Sequence, residues 1–354
     1  MSAPAPFAAA SGAEPGAAGL TGALGRFTVA PPGIAVYETD VATAAQSLRT
    51  DPAAILELAA AGLPHEVDPV HGPLFDYDDL MNVGFFCGTG QTVPELGLRF
   101  LMRFAAEPEE SWFRPRRWEV TVQPADKLGE GRGGPAPRVT VRVPDLTAPG
   151  VAAVADPGTA SGNAATLPGV TATELQERGY RAVVELTGAR HEVRAAAARP
   201  IWREIVGALA DGTVTYQTVP ERLRQTPEEA WRMGIADCVV ASRLLAGRLR
   251  AAGLEARVRR GYLLGLFGSD HSWCELYEDG VYKPLDPVFA FISQTGDAAK
   301  GIAASPEFSA ACFGSRFNRL LPCVSTDGQP LVQFDGRPAP YWAMVGVGAR
   351  PWRG

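Results

Sequence analysis

Thiol-based acyl transfer needs a cysteine at a helix start, then a histidine, then a carboxylate to hold that histidine. Cys238, His271 and Asp286 supply these types in that order between Gly234 and Pro287. The chemistry would be attack of a thiolate on an acyl carbonyl, a thioester on the enzyme, and proton exchange by the imidazole. Asp286 would fix the imidazole tautomer and stabilise the imidazolium.

The elements that must position these groups are legible nearby. Residues 238, 241, 245, 249 and 252 (Cys, Ala, Leu, Leu, Ala) recur at helical spacing, and Gly253 stands where a C′ glycine closes a helix. Cys238 therefore falls in the first turn, where unpaired N–H groups and the helix dipole favour a thiolate, and Asp237 is the expected N-cap. A strand is expected over Ala256–Leu264. Asp279-Gly280 is a two-residue hairpin signal between Trp273–Glu278 and Val281–Asp286. That turn pairs Glu278 with Val281 and Tyr277 with Tyr282. His271, Trp273, Glu275 and Tyr277 then share one face with Tyr282, Pro284 and Asp286, and His271 becomes the diagonal neighbour of Asp286. Cys274 takes the opposite face, as a core residue.

Taken singly, a buried cysteine, a core histidine and an aspartate before a proline are ordinary structural residues. Compatible order and register together favour chemistry. The oxyanion would take the backbone N–H of Cys238 and a second donor. Gln217, Trp202 and Trp231 are candidates for that donor against a structural role for each, and Trp273 is a candidate for substrate contact.

The pieces Gly234-Ile235-Ala236-Asp237-Cys238, Leu249–Val258, Gly261-Tyr262, His271–Tyr277 and Pro284-Leu285-Asp286-Pro287 resemble the transglutaminase-like superfamily. The likeness covers roughly residues 180 to 290. It implies an α+β fold with a papain-like core, a nucleophile-bearing helix packed on an antiparallel sheet. It also implies Cys238 as nucleophile, His271 as general base and acid, and Asp286 as its orienter. Ala236 stands where relatives often carry glycine, outside the triad.

Composition bounds the rest. The formal charge of −6 argues against a general nucleic-acid binder, and 46% apolar residues with 20% charged ones describe a globular chain. Arginine far outnumbers lysine and alanine, glycine and proline are in excess, the composition of a GC-rich bacterial gene. The five cysteines form no CxxC, and an odd count fits a reducing compartment. Pro4, Pro6, Gly12 and Pro15 break any signal-peptide core, and no stretch has membrane-spanning length, so a cytoplasmic location is expected.

Along the chain, residues 1–28 are expected as a disordered tail, 29–145 as an accessory α+β domain, 146–170 as a linker and 171–354 as the catalytic domain. Asp40–Ala61 reads as helix with a break at Asp51-Pro52, and Pro94–Ala105 as helix. Arg116–Val122 and Arg138–Val143 read as strands paired with each other around the loop Gln123–Pro137. Ala172–Leu209 reads as a long helix interrupted at Pro200, with His191 on its surface, and Pro227 opens a short approach helix. His65, His71, Asp68, Asp76, Asp78 and Asp79 match no compact metal site. Cys87, in Gly84–Gly90, is the second candidate nucleophile; no Gly-Lys-Ser/Thr follows to make a phosphate loop.

The expected activity is an intracellular cysteine acyltransferase forming an amide bond in small-molecule biosynthesis, needing no cofactor and no metal. A cysteine peptidase or amidase with the same triad is the alternative; a noncatalytic binding module is disfavoured by the complete triad. The expected partners are an acyl donor, such as a carrier-protein thioester, and an amine acceptor, with no nucleic acid or membrane. From Arg190 to Arg260, thirteen arginines against eight acidic residues form either a solvated face or a dock for an acidic carrier.

Overall fold

The hairpin at Asp279-Gly280 lies in a four-stranded antiparallel sheet in the computed structural model, which describes residues 17–124, 139–154, 175–176, 180–265, 269–297, 301–324, 327–334, 337–338 and 345–351. Both turn residues take left-handed backbone, φ 57° at Asp279 and 79° at Gly280, the type I′ geometry that matches strand twist. Val281–Leu285 pairs with Ser269–Glu278, which pairs with Ala256–Leu263, whose other edge takes Leu320–Pro322. The register is the one the turn implies: Glu278 faces Val281, Tyr277 faces Tyr282 and Glu275 faces Pro284. Gly261 lies opposite both His271 and Pro322, and a Cβ there would run into the Leu321 carbonyl.

Two compact units are built from separated segments. One takes the chain up to Ala106 with Pro200–Leu244 and Pro287–Ser309; the other takes Glu107–Arg199, Leu245–Asp286 and the chain from Ala310. In the second unit, the hairpin sheet is accompanied by two more. Arg116–Pro124 pairs with Tyr180–Leu186 and with Val345–Pro351, while Val139–Arg142 pairs with Val332–Phe334 and Leu175–Gln176. The three sheets share a core that includes Trp118, Val120, Tyr180, Val184, Tyr262, Leu321 and Cys323.

Two sequence expectations are corrected here. The strands at 116 and 139 do not pair with each other; each finds partners far along the chain, which nearness in sequence cannot reveal. Tyr180–Leu186 is a strand and not helix: its backbone pairs with two neighbouring strands, and Tyr180, Ala182, Val184 and Leu186, every second residue, line the core. Helix begins only at Ala198, and His191 sits half-buried in the intervening loop. The segment expected as linker contributes the strand Val151–Ala153, and the rest of it, from 155, lies outside the described residues. So do residues 1–16, most of the loop Gln123–Pro137, and Tyr341, Trp342 and Trp352.

The first unit is mainly helical, and its helices begin where side chains satisfy their first N–H groups. Asp40 caps Val41–Leu48, Asp51 caps Pro52–Ala60 with Pro52 inside the first turn, and Thr92 with Glu95 forms a capping box on Val93–Ala105. Asp76 caps Tyr77–Phe86, so Gly84 lies in the last turn of a helix and Cys87 is its C-cap residue. Within the N-terminal segment expected as tail, Ala17–Thr21 is helical and Leu20, Ala23 and Phe27 are buried, with Phe27 stacked on Phe86 at 6.1 Å.

Candidate active site

The nucleophile half is assembled in the first unit. Ile235–Ala236 pairs in parallel with Thr215–Tyr216, and the Gln217 N–H continues that ladder by donating to the Ala236 carbonyl at 2.9 Å. The chain then turns into the helix Cys238–Ala251. Asp237 caps it: Oδ1 accepts from the N–H groups of Val239 and Val240 at 2.9 and 2.8 Å, and Oδ2 accepts from Arg224 Nε at 2.5 Å. At the other end Gly253 has φ 80°, its N–H donates to Arg250 O, and the Leu254 N–H reaches Leu249 O, a Schellman closure. Cys238 is therefore the first residue of a helix fixed at both ends. It is half-buried, whereas Cys87, Cys274, Cys312 and Cys323 are buried. Burial raises the thiols of those four above the ordinary cysteine value, with Glu95 adding to the effect at Cys87.

The acid–base half is assembled in the second unit. His271 Nε2 and Asp286 Oδ2 are 2.6 Å apart, at residues 5% and 2% exposed. Asp286 is held in turn by its N–H, which donates to Cys312 O at 3.0 Å. With Nε2 committed to the carboxylate, Nδ1 is the nitrogen through which His271 would exchange a proton with a nucleophile. The diagonal relation read from the hairpin thus brings these two residues together.

The remaining candidates divide between the units. Gln217 is buried, its Nε2 donating to Thr28 O at 2.7 Å and its Oε1 accepting from Thr28 N at 3.0 Å, so its amide braces the N-terminal segment. Trp231 is half-buried on Pro227–Arg232, with its carbonyl accepting from Gly234 N. Trp202 is buried on Ala198–Ala210. Trp273 is buried, 6.1 Å from the His271 ring at an interplanar angle of 24°.

Four further residues are tied into this geometry that the sequence reading left without a role: Arg224, and Glu275, Arg257 and Arg259 of the His271 face. The last three were readable in principle, since period-two spacing in Arg257-Val258-Arg259 aims both arginines at the face of Trp273 and Glu275. Arg224, joined to Asp237 only through the fold, left no such signal.

Residues 183–287 match a family model described as the transglutaminase-like superfamily. Among solved structures, a candidate cysteine protease from Cytophaga hutchinsonii aligns at 10% identity over 67% of this chain and 96% of that one, with a TM-score of 0.25. A structure described as a TGase aligns at 12% identity over 47% of this chain and 55% of that one, with a TM-score of 0.18. Likenesses at such scores carry no weight. No curated protein matches. The matched stretch contains the Cys238 helix, the His271 strand and Asp286, so the likeness to the transglutaminase-like superfamily falls on the segment that carries these three residues.

Proposed function

We propose that the protein is a cysteine acyltransferase that forms an amide bond through a thioester on Cys238, in the biosynthesis of a small molecule. The observation that carries the proposal is the buried 2.6 Å pair of His271 and Asp286, in the same family segment as a cysteine at a capped helix start. In the first half-reaction His271 takes the Cys238 thiol proton, the sulfur attacks the acyl carbonyl, and the leaving group departs with that proton from His271 as the thioester forms. In the second, an amine attacks the thioester, His271 takes the amine proton, and the thiol is released as the amide forms. The Cys238 N–H and one further donor, for which Gln217 and Trp231 are candidates, bind the oxyanion.

Much of the chain lies outside the family segment, which favours a dedicated substrate over general proteolysis. Five cysteines without a disulfide suit a reducing cytoplasm. An acidic carrier protein is the proposed acyl donor. Arg224, Arg257, Arg259 and Arg260 are engaged in internal ion pairs, so the dock would draw on exposed arginines such as Arg203 and Arg232. A cysteine peptidase or amidase is the second reading, since it shares every acylation step.

Intact-protein mass spectrometry after incubation with acyl thioesters tests the proposal: one acyl adduct is expected, absent in Cys238→Ala. Amines should accelerate its decay and appear in an amide product. Decay at one rate whatever amine is added, with only free acid formed, would make the enzyme a hydrolase.

A further inference from the structure

On the sheet face that carries His271, Arg257 lies opposite Glu275 and Arg259 opposite Trp273. Four N–H groups converge on the Glu275 carboxylate. Arg257 Nε and Nη2 each lie 2.7 Å from Oε2, Arg259 Nε lies 3.4 Å from it, and Trp273 Nε1 donates to Oε1 at 3.3 Å. Arg259 Nη1 is 2.9 Å from Asp145, so two positive charges meet two negative ones. Glu275, Arg259 and Trp273 are all buried. Buried ion pairs of this kind are seldom more stable than apolar side chains of the same size, so stability alone does not account for the arrangement. What it fixes is the indole, the ring that lies beside the His271 imidazole.

We infer that Glu275 is a positioning residue for His271, acting through Trp273. The inference rests on the reading of His271 as the acid–base group of the site. Glu275 holds Trp273 in one rotamer by its N–H, and the indole face favours a proton on the neighbouring imidazole. Asp286 favours the same protonated form from the Nε2 side. Glu275 also offsets Arg257 and Arg259, whose charges, left unbalanced, would oppose that proton. The charged groups involved are thus Asp286, Glu275, Arg257 and Arg259 on this face, Asp145 paired with Arg259, and Arg316 within electrostatic reach of Glu275, and Glu275 joins Arg257 and Arg259 to the ring.

The test is a pH titration of the full chain labelled at histidine 13Cε1, which gives four imidazole signals. Loss of one in His271→Gln identifies His271. In Glu275→Gln the His271 midpoint is expected at lower pH than in the unmodified protein. Acylation by 4-nitrophenyl acetate should be roughly ten- to a hundredfold slower, the cost of a misplaced catalytic group. Adding Arg257→Gln to Glu275→Gln restores charge balance and should return the midpoint toward its original position. A glutamate that only supported the fold would lower the melting temperature and leave the His271 midpoint in place, and that result overturns the inference. If Glu275→Gln does not fold, Trp273→Phe keeps a ring and deletes the N–H. A downward shift of the midpoint then supports the inference, and an unmoved midpoint overturns it. The titration does not involve Cys238. Failure of Cys238 to form a thioester would therefore sink the acyl-transfer reading while the His271 signal still decided this one.

Discussion

Arg224 holds Asp237 by one carboxylate oxygen while the other oxygen caps the helix that Cys238 opens. One aspartate thus joins a nearly buried ion pair to the first turn of the nucleophile helix. Asp237→Ala should remove the cap and one of the two carboxylates that Arg224 pairs with, leaving Glu221, and lower stability by about 1–3 kcal/mol. Asp237→Asn keeps the capping oxygen and loses only the charge, so it should fall between. Urea denaturation measures both; a change in Asp237→Ala below about 0.5 kcal/mol, the scale of an ordinary surface substitution, would show that the pair contributes little.

Exposure separates the five thiols. Cys238 should react with iodoacetamide faster than Cys87, Cys274, Cys312 and Cys323, which are buried and whose thiols burial pushes up. Peptide mapping after a short pulse at neutral pH reads the order. Preferential labelling of Cys87 would move the nucleophile to the end of Tyr77–Phe86.

Within the proposed mechanism, Cys238→Ala should abolish acyl loading, and Asp286→Ala should lower kcat by roughly 10²- to 10⁴-fold through a misoriented imidazole. Because Asp286 is also tied to Cys312 O through its backbone, which the substitution retains, the fold should persist. Circular dichroism checks that. Full activity in folded Asp286→Ala would remove Asp286 from the mechanism.

Burial, followed by the negative charge of Asp76, pushes the Asp79 carboxyl up to about 7. Asp78 beside it is pushed to about 8, burial again being the largest cause and Arg224 opposing it. The folded protein therefore holds protons that the unfolded chain, with ordinary aspartates near pH 4, has released. Their contribution is intact below about pH 4 and is lost as pH rises through 7 for Asp79 and through 8 for Asp78, at up to about 1.4 kcal/mol per pH unit for each. Asp79→Asn, which keeps an acceptor for the Ala30 N–H, should flatten the slope of unfolding free energy between pH 4 and 8. An unchanged slope in that variant would assign the pH dependence elsewhere.

The parts of the site that were legible in the sequence are those that short-range chemistry dictates. Asp279-Gly280 admits one tight turn, the turn admits one register, and register carries His271 to Asp286. Asp237 and Gly253 mark the ends of the Cys238 helix because capping involves neighbours in sequence. Long-range pairing left no such trace: Arg116–Pro124 and Val139–Arg142 each present an alternating face that many strands would satisfy. Tyr180–Leu186 does alternate, with Tyr180, Ala182, Val184 and Leu186 on the core face and Arg181 and Glu185 partly exposed, but seven residues of that pattern are easily lost within a longer stretch read as helix. Arg224 and Asp237 meet only through the fold.

The strand pairing of Val122 with Val347 bears on how the chain reaches its native state. During synthesis, Arg116–Pro124 emerges long before Val345–Pro351, the strand that covers its outer edge. Until then an apolar strand of the second unit presents unpaired backbone groups, an open template for other chains. Contacts so distant in sequence close slowly, because the loop entropy is lost before the pairing is gained. Refolding yield should therefore fall with protein concentration far more steeply than for a domain closed by local hairpins.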